Sequence, residues 1–486
     1  MTMEDYEVMG EYEECQTHAE SLMNDDLRAK VGKKSKTLPQ VLPAISACLA
    51  IMSGGFHSTW PIPSLVKLMS PDSPVPITSN QSSWIVSFAL IGSILGSIFL
   101  RPLLDKWGTK SVLLSTSIPY LISALILALG NEYWWIYLAR FIAGVGNGIS
   151  MAVCPIYISE IAENDIRGAL STTMSVSMIL GALIPIVVGP WVGRVVLAAT
   201  AAAIPAVFTL TFIWMPESPF FYAMKNRPHD IKKSLTRLRG TSDVDEEIKG
   251  IQKSLILNRN EKGSFFEVFT VKGNRKALAI AIGLRSCQTL AGFFPFVTYV
   301  GVMFKKFDAG IGWGIIMIVI SAVKFINSFV VLLLADRAGR RPLLLVSSTF
   351  SAVFLLGGGW FFQLVANGTD VTDVAWLPVV LIMLFFTAHT LGLAIVPVMI
   401  EAEIYPHQIK TAAMTITAVY QAGLGVVILK IYQIITDVYG LYVTFYLFAA
   451  INIVSTIFIY FFVPETKKRS FIEIQNEFRG ISKPPV

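Results

Sequence analysis

Long apolar runs that alternate with short charged turns restrict the fold of this chain more than any other feature. The clearest turn, Ala335–Arg341, holds one acid and three arginines and joins the apolar runs 312–334 and 343–364. Each run is about long enough to cross a bilayer as a helix. A weaker copy of the turn, Asp105–Lys110, again lies between two apolar runs. Charged turns between runs of this length predict helical spans joined by loops in water.

The overall composition indicates an integral membrane protein. Of the 486 residues, 54% are hydrophobic and only 15% are charged, which is too little charge to cover a soluble protein of this length. The net charge of +6 does not indicate a nucleic-acid partner, because the lysines and arginines cluster at the ends of apolar runs, where membrane topology requires them. We therefore expect membrane lipid, and no nucleic acid, around the chain.

Twelve apolar runs are predicted to cross the membrane as α-helices. They cover residues 38–62, 84–104, 111–129, 133–158, 169–189, 194–215, 277–300, 312–335, 343–364, 376–402, 411–436 and 439–462. The predicted fold class is all-α membrane, with twelve transmembrane helices in two pseudo-symmetric six-helix bundles. The predicted domains are a disordered cytosolic tail (1–37), an N-terminal bundle (38–215), a cytosolic linker with short helices (216–276), a C-terminal bundle (277–463) and a second cytosolic tail (464–486).

Three pairs of motifs recur in the same order in the two halves of the chain. The pairs are Asp105…Gly108…Lys110 with Asp336…Gly339…Arg341, Glu160…Arg167 with Glu403…Lys410, and Pro216-Glu217-Ser218 with Pro464-Glu465-Thr466. Chance could supply one such pair, but three pairs at similar offsets indicate a duplicated six-helix unit.

The acids and bases of these motifs are predicted to form a cytosolic gate. Ion pairs across the interface between two bundles would hold the cytosolic side shut, and they break at modest cost because each partner can be rehydrated. The predicted gate residues are Asp105, Glu160, Arg167, Asp336, Arg340, Arg341, Glu403 and Lys410. The alternative is that these charges only anchor the helix ends.

The distribution of charge also predicts the orientation. The linker and the C-terminal tail are basic, which places them and both termini in the cytosol. The loop between the ninth and tenth spans is then outside, and it contains the sequon Asn367-Gly368-Thr369. Asn367 is therefore a predicted glycosylation site. We expect a multi-pass protein of the plasma membrane.

Several motifs together resemble one known family. They are Asp336-Arg337-Ala338-Gly339-Arg340-Arg341, Arg140-Phe141…Gly144…Gly146…Gly148, Pro155…Tyr157…Glu160-Ile161-Ala162…Arg167-Gly168, Pro216-Glu217-Ser218-Pro219 and Pro464-Glu465-Thr466-Lys467. The chain resembles a sugar porter of the major facilitator superfamily, and it is most similar to the insect facilitated trehalose transporters. The resemblance implies a monomeric carrier that moves a hexose or trehalose by alternating access, without a cofactor or a metal.

An enzymatic function finds no support in the sequence. Neither a nucleophile, a metal-ligand set nor a phosphate loop stands out. Gly144-x-Gly146-x-Gly148 lies within a span, where it suits close helix packing rather than nucleotide binding.

The predicted substrate region lies in the seventh span. Sugar porters there resemble Gln-Gln-x-Ser-Gly-x-Asn, whose amides replace the water that sugar hydroxyls lose. In this chain Gln288 matches the first Gln, whereas Thr289 and Phe294 stand at the second Gln and the Asn. Ser175 stands at the family's Gln position in the fifth span. Phe294 and Phe296 are candidates to stack on a pyranose ring. The alternative is that they face lipid or pack inside the protein.

The resemblance also identifies a coupling position. Proton-coupled members carry an Asp in the first span near an Arg in the fourth, and the matching residues here are His57 and Arg140. His57 could titrate near neutral pH, although a cationic neighbour favours its neutral form. Because the carboxylate is missing, we expect facilitated diffusion.

Three basic residues are predicted to lie deep in the second half: Arg285, Lys324 and His389. A charge at mid-bilayer costs roughly 2.5–3.5 kcal/mol, so such residues usually line a water-filled cavity. No acid is expected at similar depth, since Glu401 is placed near the cytosolic end. A second hypothesis is therefore an anionic solute held by Arg285 and Lys324. Alternatively, Lys324 snorkels or binds a helix carbonyl, and His389 packs in the core.

A third hypothesis is a nutrient sensor that binds its ligand without transporting it. The absence of several sugar-binding residues of the family motivates this hypothesis. Flux through the reconstituted protein would separate a sensor from a carrier.

Overall fold

The computed structural model of the chain describes residues 37–98, 100–260, 267–307, 312–405, 407–467 and 469. The predicted N-terminal tail, apart from Thr37, and the end of the predicted C-terminal tail lie outside these residues. The side chains of residues 328–337, which include the predicted gate residue Asp336, also lie outside the description.

The described residues form α-helices, one short 3₁₀ helix at Thr372–Val374 and no β-strand. The helices before the linker are α1 (Leu38–Thr59), α2 (Pro61–Leu68), α3 (Ser79–Ile98), α4 (Leu100–Trp107), α5 (Thr109–Ser115), α6 (Ser117–Leu129), α7 (Tyr133–Ile161), α8 (Asn164–Val188) and α9 (Arg194–Phe212). The linker helices are α10 (Pro219–Met224), α11 (Pro228–Arg239), α12 (Asp245–Asn260) and α13 (Glu267–Thr270). The remaining helices are α14 (Lys272–Leu290), α15 (Phe293–Lys306), α16 (Trp313–Ala338), α17 (Arg340–Ala366), α18 (Leu377–Leu391), α19 (Val396–Ile404), α20 (His407–Tyr439) and α21 (Leu441–Phe462).

These helices confirm the predicted membrane fold. Within the described chain, 11 helical stretches are long and apolar enough to cross a membrane, and the shorter apolar stretch Trp313–Asn327 of α16 supplies a twelfth. Six of the twelve precede the linker helices and six follow them. The chain is therefore a multi-pass membrane protein.

The first span is longer than the sequence predicted. It was expected to end at residue 62, but the helical stretch runs from Leu38 to Leu68 through α1 and α2. Proline occupies the first turn of α2, where its missing N–H would have no helical partner in any case. Proline at residues 61 and 63 therefore begins a new helix instead of ending the span.

Two spans of the second half are broken in the middle. In the seventh span α14 ends at Leu290 and α15 begins at Phe293, and Gly292 between them has φ = 90°. Only glycine adopts this conformation readily. In the tenth span α18 ends at Leu391 and α19 begins at Val396. A proline lies near the start of both α15 and α19, so the local sequence determines where the breaks occur.

Side-chain amides bind the backbone that these breaks expose. Asn452 Nδ2 donates to the carbonyl oxygen of Ala291 at 3.0 Å. Gln288 Nε2 donates to the carbonyl oxygen of Ala394 at 2.7 Å. Irregular backbone at membrane depth is tolerated only where protein or a cavity covers it, and these two bonds meet that condition.

The first half depends on close contact between α3 and α7. A Cβ atom added at Gly144 would lie 2.2 Å from the Ala89 carbonyl oxygen, and one at Gly148 would lie 2.1 Å from the Ser93 carbonyl oxygen. The backbones therefore touch, as small residues in membrane helices allow. The predicted packing role of Gly144 and Gly148 fits this geometry.

The two halves meet at the end of the molecule opposite the linker helices, which we call the distal end; the other is the linker end. There Ser79 Oγ donates to Asp437 Oδ1 at 3.0 Å and Lys430 Nζ donates to Ser83 Oγ at 2.9 Å, so that α3 binds α20. The hydroxyls of Ser82 and Tyr299 lie 3.0 Å apart. The distal end is therefore closed in this conformation.

Gly144→Ala should lower the thermal stability of the purified protein, because its Cβ cannot be accommodated without separating α3 from α7. Overpacking of this kind costs about 1–3 kcal/mol. Gly423→Ala in α20 is the matched control, since an added Cβ there meets no atom within 4 Å. Equal unfolding temperatures for the two variants in the same detergent would contradict the packing described here.

Candidate functional site

The two repeated charged turns are built in the same way at the linker end. Gly108 has φ = 84° and Gly339 has φ = 93°, and each directly precedes a helix, α5 or α17. A carboxylate occupies each helix start. Glu217 Oε1 accepts from the backbone N–H of Lys110 at 2.7 Å. Glu465 accepts from the backbone N–H groups at the start of α17, at residues 340 and 341, both at 3.0 Å.

These carboxylates stabilise the exposed N–H groups and the positive end of each helix dipole. An added Cβ at Gly108 would lie 2.7 Å from Glu217 Oε2, and one at Gly339 would lie 2.9 Å from Glu465 Oε2. Glycine is therefore required for the carboxylate to approach. In the sequence, Glu217 and Glu465 are recognisable only as members of the repeated motifs, and this capping role was not predicted.

A second repeated contact joins the turns to the predicted gate acids. Glu160 Oε2 accepts from Thr109 Oγ1 at 2.8 Å, and Glu403 Oε1 lies 3.2 Å from Arg340 Nη2. Thr109 and Arg340 each follow the turn glycine directly. The equivalent positions in the two halves thus make equivalent contacts.

The other predicted gate residues are placed less firmly. Arg341 stacks on the Tyr460 ring at 5.6 Å and also donates to the Tyr460 carbonyl oxygen. Arg167 is exposed and donates to its neighbouring Ala162 carbonyl at 3.4 Å. Asp105 is exposed and Lys410 is half-buried.

The described gate contacts lie within one half of the molecule each. Glu160 binds Thr109 in the first half, and Glu403 binds Arg340 in the second. Pairing across the interface between the bundles, as the sequence predicted, therefore stays a prediction for a conformation in which the linker end is closed.

Arg239 is a linker residue that sequence analysis did not single out. Its side chain is buried and lies 3.1 Å from Glu163 and 2.5 Å from Glu247. It also donates to the Ile161 carbonyl oxygen at 2.9 Å. Arg239 therefore binds the linker helices to the junction of α7 and α8. A single arginine in a charged segment carries no sequence signal of such a role.

A buried charged contact of the second half joins α14 to α19. Arg285 Nε and Nη2 each donate to Glu401 at 2.7 Å, one to each carboxylate oxygen. Glu401 is fully buried and Arg285 is 7% exposed. The expectation that Arg285 has no acid at its depth is therefore wrong. It failed because position along a span does not show how α14 and α19 pack against each other.

Two glutamines complete this network. Arg285 Nη1 donates to Gln288 Oε1 at 3.2 Å and to Gln421 Oε1 at 2.8 Å. Gln421 Nε2 donates to Gln288 Oε1 at 3.0 Å. Because a guanidinium has no acceptor, both amide oxygens must turn toward Arg285. Each amide nitrogen carries two N–H groups. Gln288 Nε2 uses one on the Ala394 carbonyl oxygen and Gln421 Nε2 uses one on Gln288 Oε1, so each amide retains a second N–H donor. Gln421 was not predicted, since α20 carries no family motif that names it.

Lys324 and His389 lie together around Phe293. Lys324 Nζ lies 4.7 Å from the centre of the Phe293 ring, and His389 stacks on that ring at 4.5 Å. Lys324 is half-buried, whereas His389 is 1% exposed with Nδ1 unbonded to any described residue. The structure thus brings both predicted basic residues together, next to the break in the seventh span.

The remaining predicted substrate residues differ in accessibility. Phe294 is half-buried, and Ser175 on α8 is exposed. Thr289 is 7% exposed, and its hydroxyl has no partner among the described residues. Phe296 is 1% exposed and packs against Phe445 at 4.6 Å. In this conformation Phe296 is therefore a core residue and not a platform for a sugar ring.

The predicted coupling pair does not form a side-chain contact. Arg140 Nη1 donates to the backbone carbonyl oxygen of His57 at 2.6 Å, and its guanidinium lies 5.5 Å from the Trp60 ring centre. The His57 ring stacks on Tyr120 at 5.1 Å, and neither ring nitrogen has a partner among the described residues. In the described part of the chain, backbone carbonyl dipoles rather than an acid thus stabilise the Arg140 cation.

The contributions of Glu217 and Glu465 to the stability of the protein should change with pH in opposite directions. Burial raises the pKa of Glu217 against the opposing backbone N–H bonds. Burial also favours a higher pKa for Glu465. Hydrogen bonds from backbone N–H groups have the larger combined effect, and the pKa of Glu465 is lowered. A raised pKa contributes stability that is lost as the pH rises through the folded value, and a lowered pKa contributes stability that is lost as the pH falls through it.

Unfolding temperatures of wild type, Glu217→Gln and Glu465→Gln, measured from about pH 4 to 7, check this difference. The difference in unfolding temperature between wild type and Glu217→Gln should shrink as the pH rises. The difference between wild type and Glu465→Gln should grow. Two differences that change in the same direction would show that the carboxylates do not differ in this way.

Glu401→Gln should destabilise the protein strongly, because it leaves the Arg285 charge buried without a counter-charge. Removing one partner of a buried pair costs about 3–5 kcal/mol. Arg285→Met combined with Glu401→Gln should regain much of the loss, since no buried charge remains. Thermal unfolding in detergent measures both. A double variant no more stable than Glu401→Gln would refute the charge pair as the cause.

Comparison with known proteins identifies relatives over nearly the whole chain. The family model described as "Sugar (and other) transporter" matches residues 15–478. The facilitated trehalose transporter Tret1 of Anopheles gambiae is 30% identical over 91% of this chain, and that of Culex quinquefasciatus is 29% identical over 91%. The chain covers 56% of the Anopheles protein and 86% of the Culex protein, so it spans little more than half the length of the former.

Solved transporter structures share the fold. The inward-open conformation of the xylose transporter XylE from E. coli superposes with a TM-score of 0.74 at 17% identity, and covers 89% of this chain and 98% of that one. XylE bound to 6-bromo-6-deoxy-D-glucose superposes with a TM-score of 0.67 at 18% identity, covering 91% of this chain and 100% of that one. Together with the twelve spans and the repeated turns, the match over residues 15–478 shows that the chain belongs to the sugar (and other) transporter family.

Proposed function

We propose that the protein carries a hexose or trehalose across the membrane by facilitated diffusion, through alternating access of its two halves. The observation that carries this proposal is the pair of amides, Gln288 and Gln421, held by Arg285 beside the breaks in the seventh and tenth spans. Their free N–H groups can bind sugar oxygens, and the exposed backbone of the breaks adds further polar groups. The family and its trehalose-transporting relatives support the same substrate class.

Facilitated diffusion, rather than proton coupling, is supported by the first half. Arg140 binds the carbonyl oxygen of His57 and has no carboxylate partner in the described structure. Without an acid at this position, protonation cannot release Arg140. His57 in the first span and Arg140 in the fourth are then structural residues, and uptake should not depend on a proton gradient.

We place the linker end in the cytosol, with both termini on that side, because the linker and the C-terminal tail are basic. The protein is proposed to work as a monomer in the plasma membrane. Asn367, exposed at the end of α17, is then outside and open to glycosylation. In this orientation the described conformation, closed at its distal end, faces inward.

The gate proposal follows from that orientation. In the inward-facing state the acids bind within their own halves, as Arg340 binds Glu403. When the cytosolic side closes, the two repeated turns approach each other, and exposed charges such as Asp105 and Arg167 gain partners across the interface. Exposed ion pairs are weak, so such a gate can open again at modest cost.

One of the two cations on which the anionic-solute hypothesis depends, Arg285, is not available to an anion. Glu401 neutralises Arg285 with two bonds, which leaves Lys324 as the positive charge near the cavity. Lys324 already lies against the Phe293 ring, which is a favourable site for a cation. A neutral polyol therefore suits the site better than an organic acid.

Gln288→Ala and Gln421→Ala should each lower the kcat/KM of sugar uptake into liposomes about tenfold, the effect of losing about 1–1.5 kcal/mol of hydrogen bonding. Gln363→Ala is the control, because Gln363 binds Tyr446 away from this network. The substrate panel contains hexoses, trehalose and organic acids at two pH values. Uptake of acids that Lys324→Asn abolishes would favour an anion carrier, and ligand binding without any flux would favour a sensor.

A further inference from the structure

A cavity of about 410 Å³ lies at the distal end of the first half, apart from the amide network. Its walls come from α2 and the loop that follows it, the end of α6, the start of α7, the loop that enters α9, and Lys305 of α15 in the second half. The floor is apolar and includes Trp60, Leu127, Ile136 and Leu197. The volume falls within the range of small-molecule sites, which are mostly apolar with a few placed polar groups.

Three cations line this cavity: Lys67, Arg194 and Lys305. Asp72 is the acid among the residues that line it, and its side chain is exposed. The lining charge is therefore three positive against one negative. Such an excess of one sign beside apolar walls attracts the opposite charge.

Backbone carbonyls hold each cation in position. Lys67 Nζ donates to Gly189 and Val192 at 2.6 and 2.5 Å, and Arg194 Nη1 donates to Gly130 at 2.5 Å. These bonds give Lys67 and Arg194 a structural role at helix ends.

Lys305 is less fully engaged. Its ammonium makes one bond, at 3.3 Å, to the Val66 carbonyl oxygen. An ammonium has three donors, so two of its N–H groups remain for a ligand. Hydrogen bonds to backbone carbonyls at a helix end therefore explain the position of Lys67 better than that of Lys305.

The geometry points to a binding site for an amphipathic anion, with a carboxylate or phosphate head on Lys67, Arg194 and Lys305 and an apolar body on the residues around Trp60. The head group exchanges water for preplaced cations, and the body gains the burial of apolar surface. The site is separate from the sugar-binding region and does not depend on the proposed transport function.

Occupancy of this site has a consequence for the conformation. Lys67 and Arg194 belong to the first half, whereas Lys305 lies in the last turn of α15 in the second. A ligand that binds all three ties the halves together at the distal end, and it therefore stabilises the conformation in which that end is closed. By linkage, such a ligand inhibits any cycle that must open the distal end.

The binding test uses the full chain in nanodiscs of neutral lipid, with dodecanoate and dodecyl phosphate as probes and dodecanol as the uncharged analogue. Wild type should bind both anions and bind dodecanol at least fivefold more weakly. Lys305→Gln should weaken anion binding at least fivefold, and Lys305→Arg should retain it. Lys253→Gln, an exposed lysine of α12, is the matched control. Equal binding by Lys305→Gln and wild type, equal binding of dodecanol, or no binding of either anion overturns the proposal.

Acetate and inorganic phosphate are the second arm, because they carry the head group without the apolar body. Weak competition by both supports an amphiphile site, whereas competition as strong as that of dodecanoate overturns it in favour of a small-anion site. A preference between dodecanoate and dodecyl phosphate identifies the head group.

The conformational arm measures the distance between spin labels at Glu132→Cys and Asp373→Cys, two exposed distal positions in opposite halves. Dodecanoate should shift the distances toward the short, distal-closed population in the otherwise native chain but not with Lys305→Gln. An unchanged distribution at saturating dodecanoate overturns the proposed coupling. Because none of the three arms measures sugar flux, a protein that moves no sugar would refute the proposed function and leave this site intact.

Discussion

A backbone polar group without a hydrogen-bond partner costs several kcal/mol in the bilayer core, and this constraint shapes most of the structure. It forces the apolar runs into continuous helices and allows irregular backbone only where protein covers it. In the described second half, such backbone occurs at the breaks at Ala291–Gly292 and around Ala394. Asn452 and Gln288 bind the carbonyl oxygens there. Polar backbone is thus present at mid-membrane without destabilising the fold, and it lies next to the proposed sugar site.

The Arg285–Glu401 pair determines the charge of that site. A cation at this depth looks like an anion-binding group until its carboxylate partner is seen. With both charges buried and bonded twice, the pair is neutral, and its role is to orient Gln288 and Gln421. Buried pairs of this kind are weak sources of stability, so positioning of the amides is the more useful account of why both charges are present.

The duplicated turns show how a sequence repeat becomes a structural one. Glu217 and Glu465 cap equivalent helices, and Gly108 and Gly339 have nearly equal φ angles. Yet burial raises the pKa of Glu217, whereas backbone hydrogen bonds lower that of Glu465. Equivalent motifs therefore differ in electrostatics, which gives the two halves a physical asymmetry at the end where the gate is proposed.

The sequence alone was sufficient to predict the twelve spans, the duplicated halves and the family, because hydropathy and motif order depend on neighbours along the chain. It also placed Gly144 and Gly148 correctly in helix packing. It could not place the Glu401 carboxylate against Arg285, bury Phe296 in an aromatic core, or assign Gln421 and Arg239 a role. Those contacts join residues far apart in sequence, and they depend on where two broken helices and a linker lie in space. Local periodicity determines which segments are helices, whereas only the packing of those helices decides which buried charges are paired.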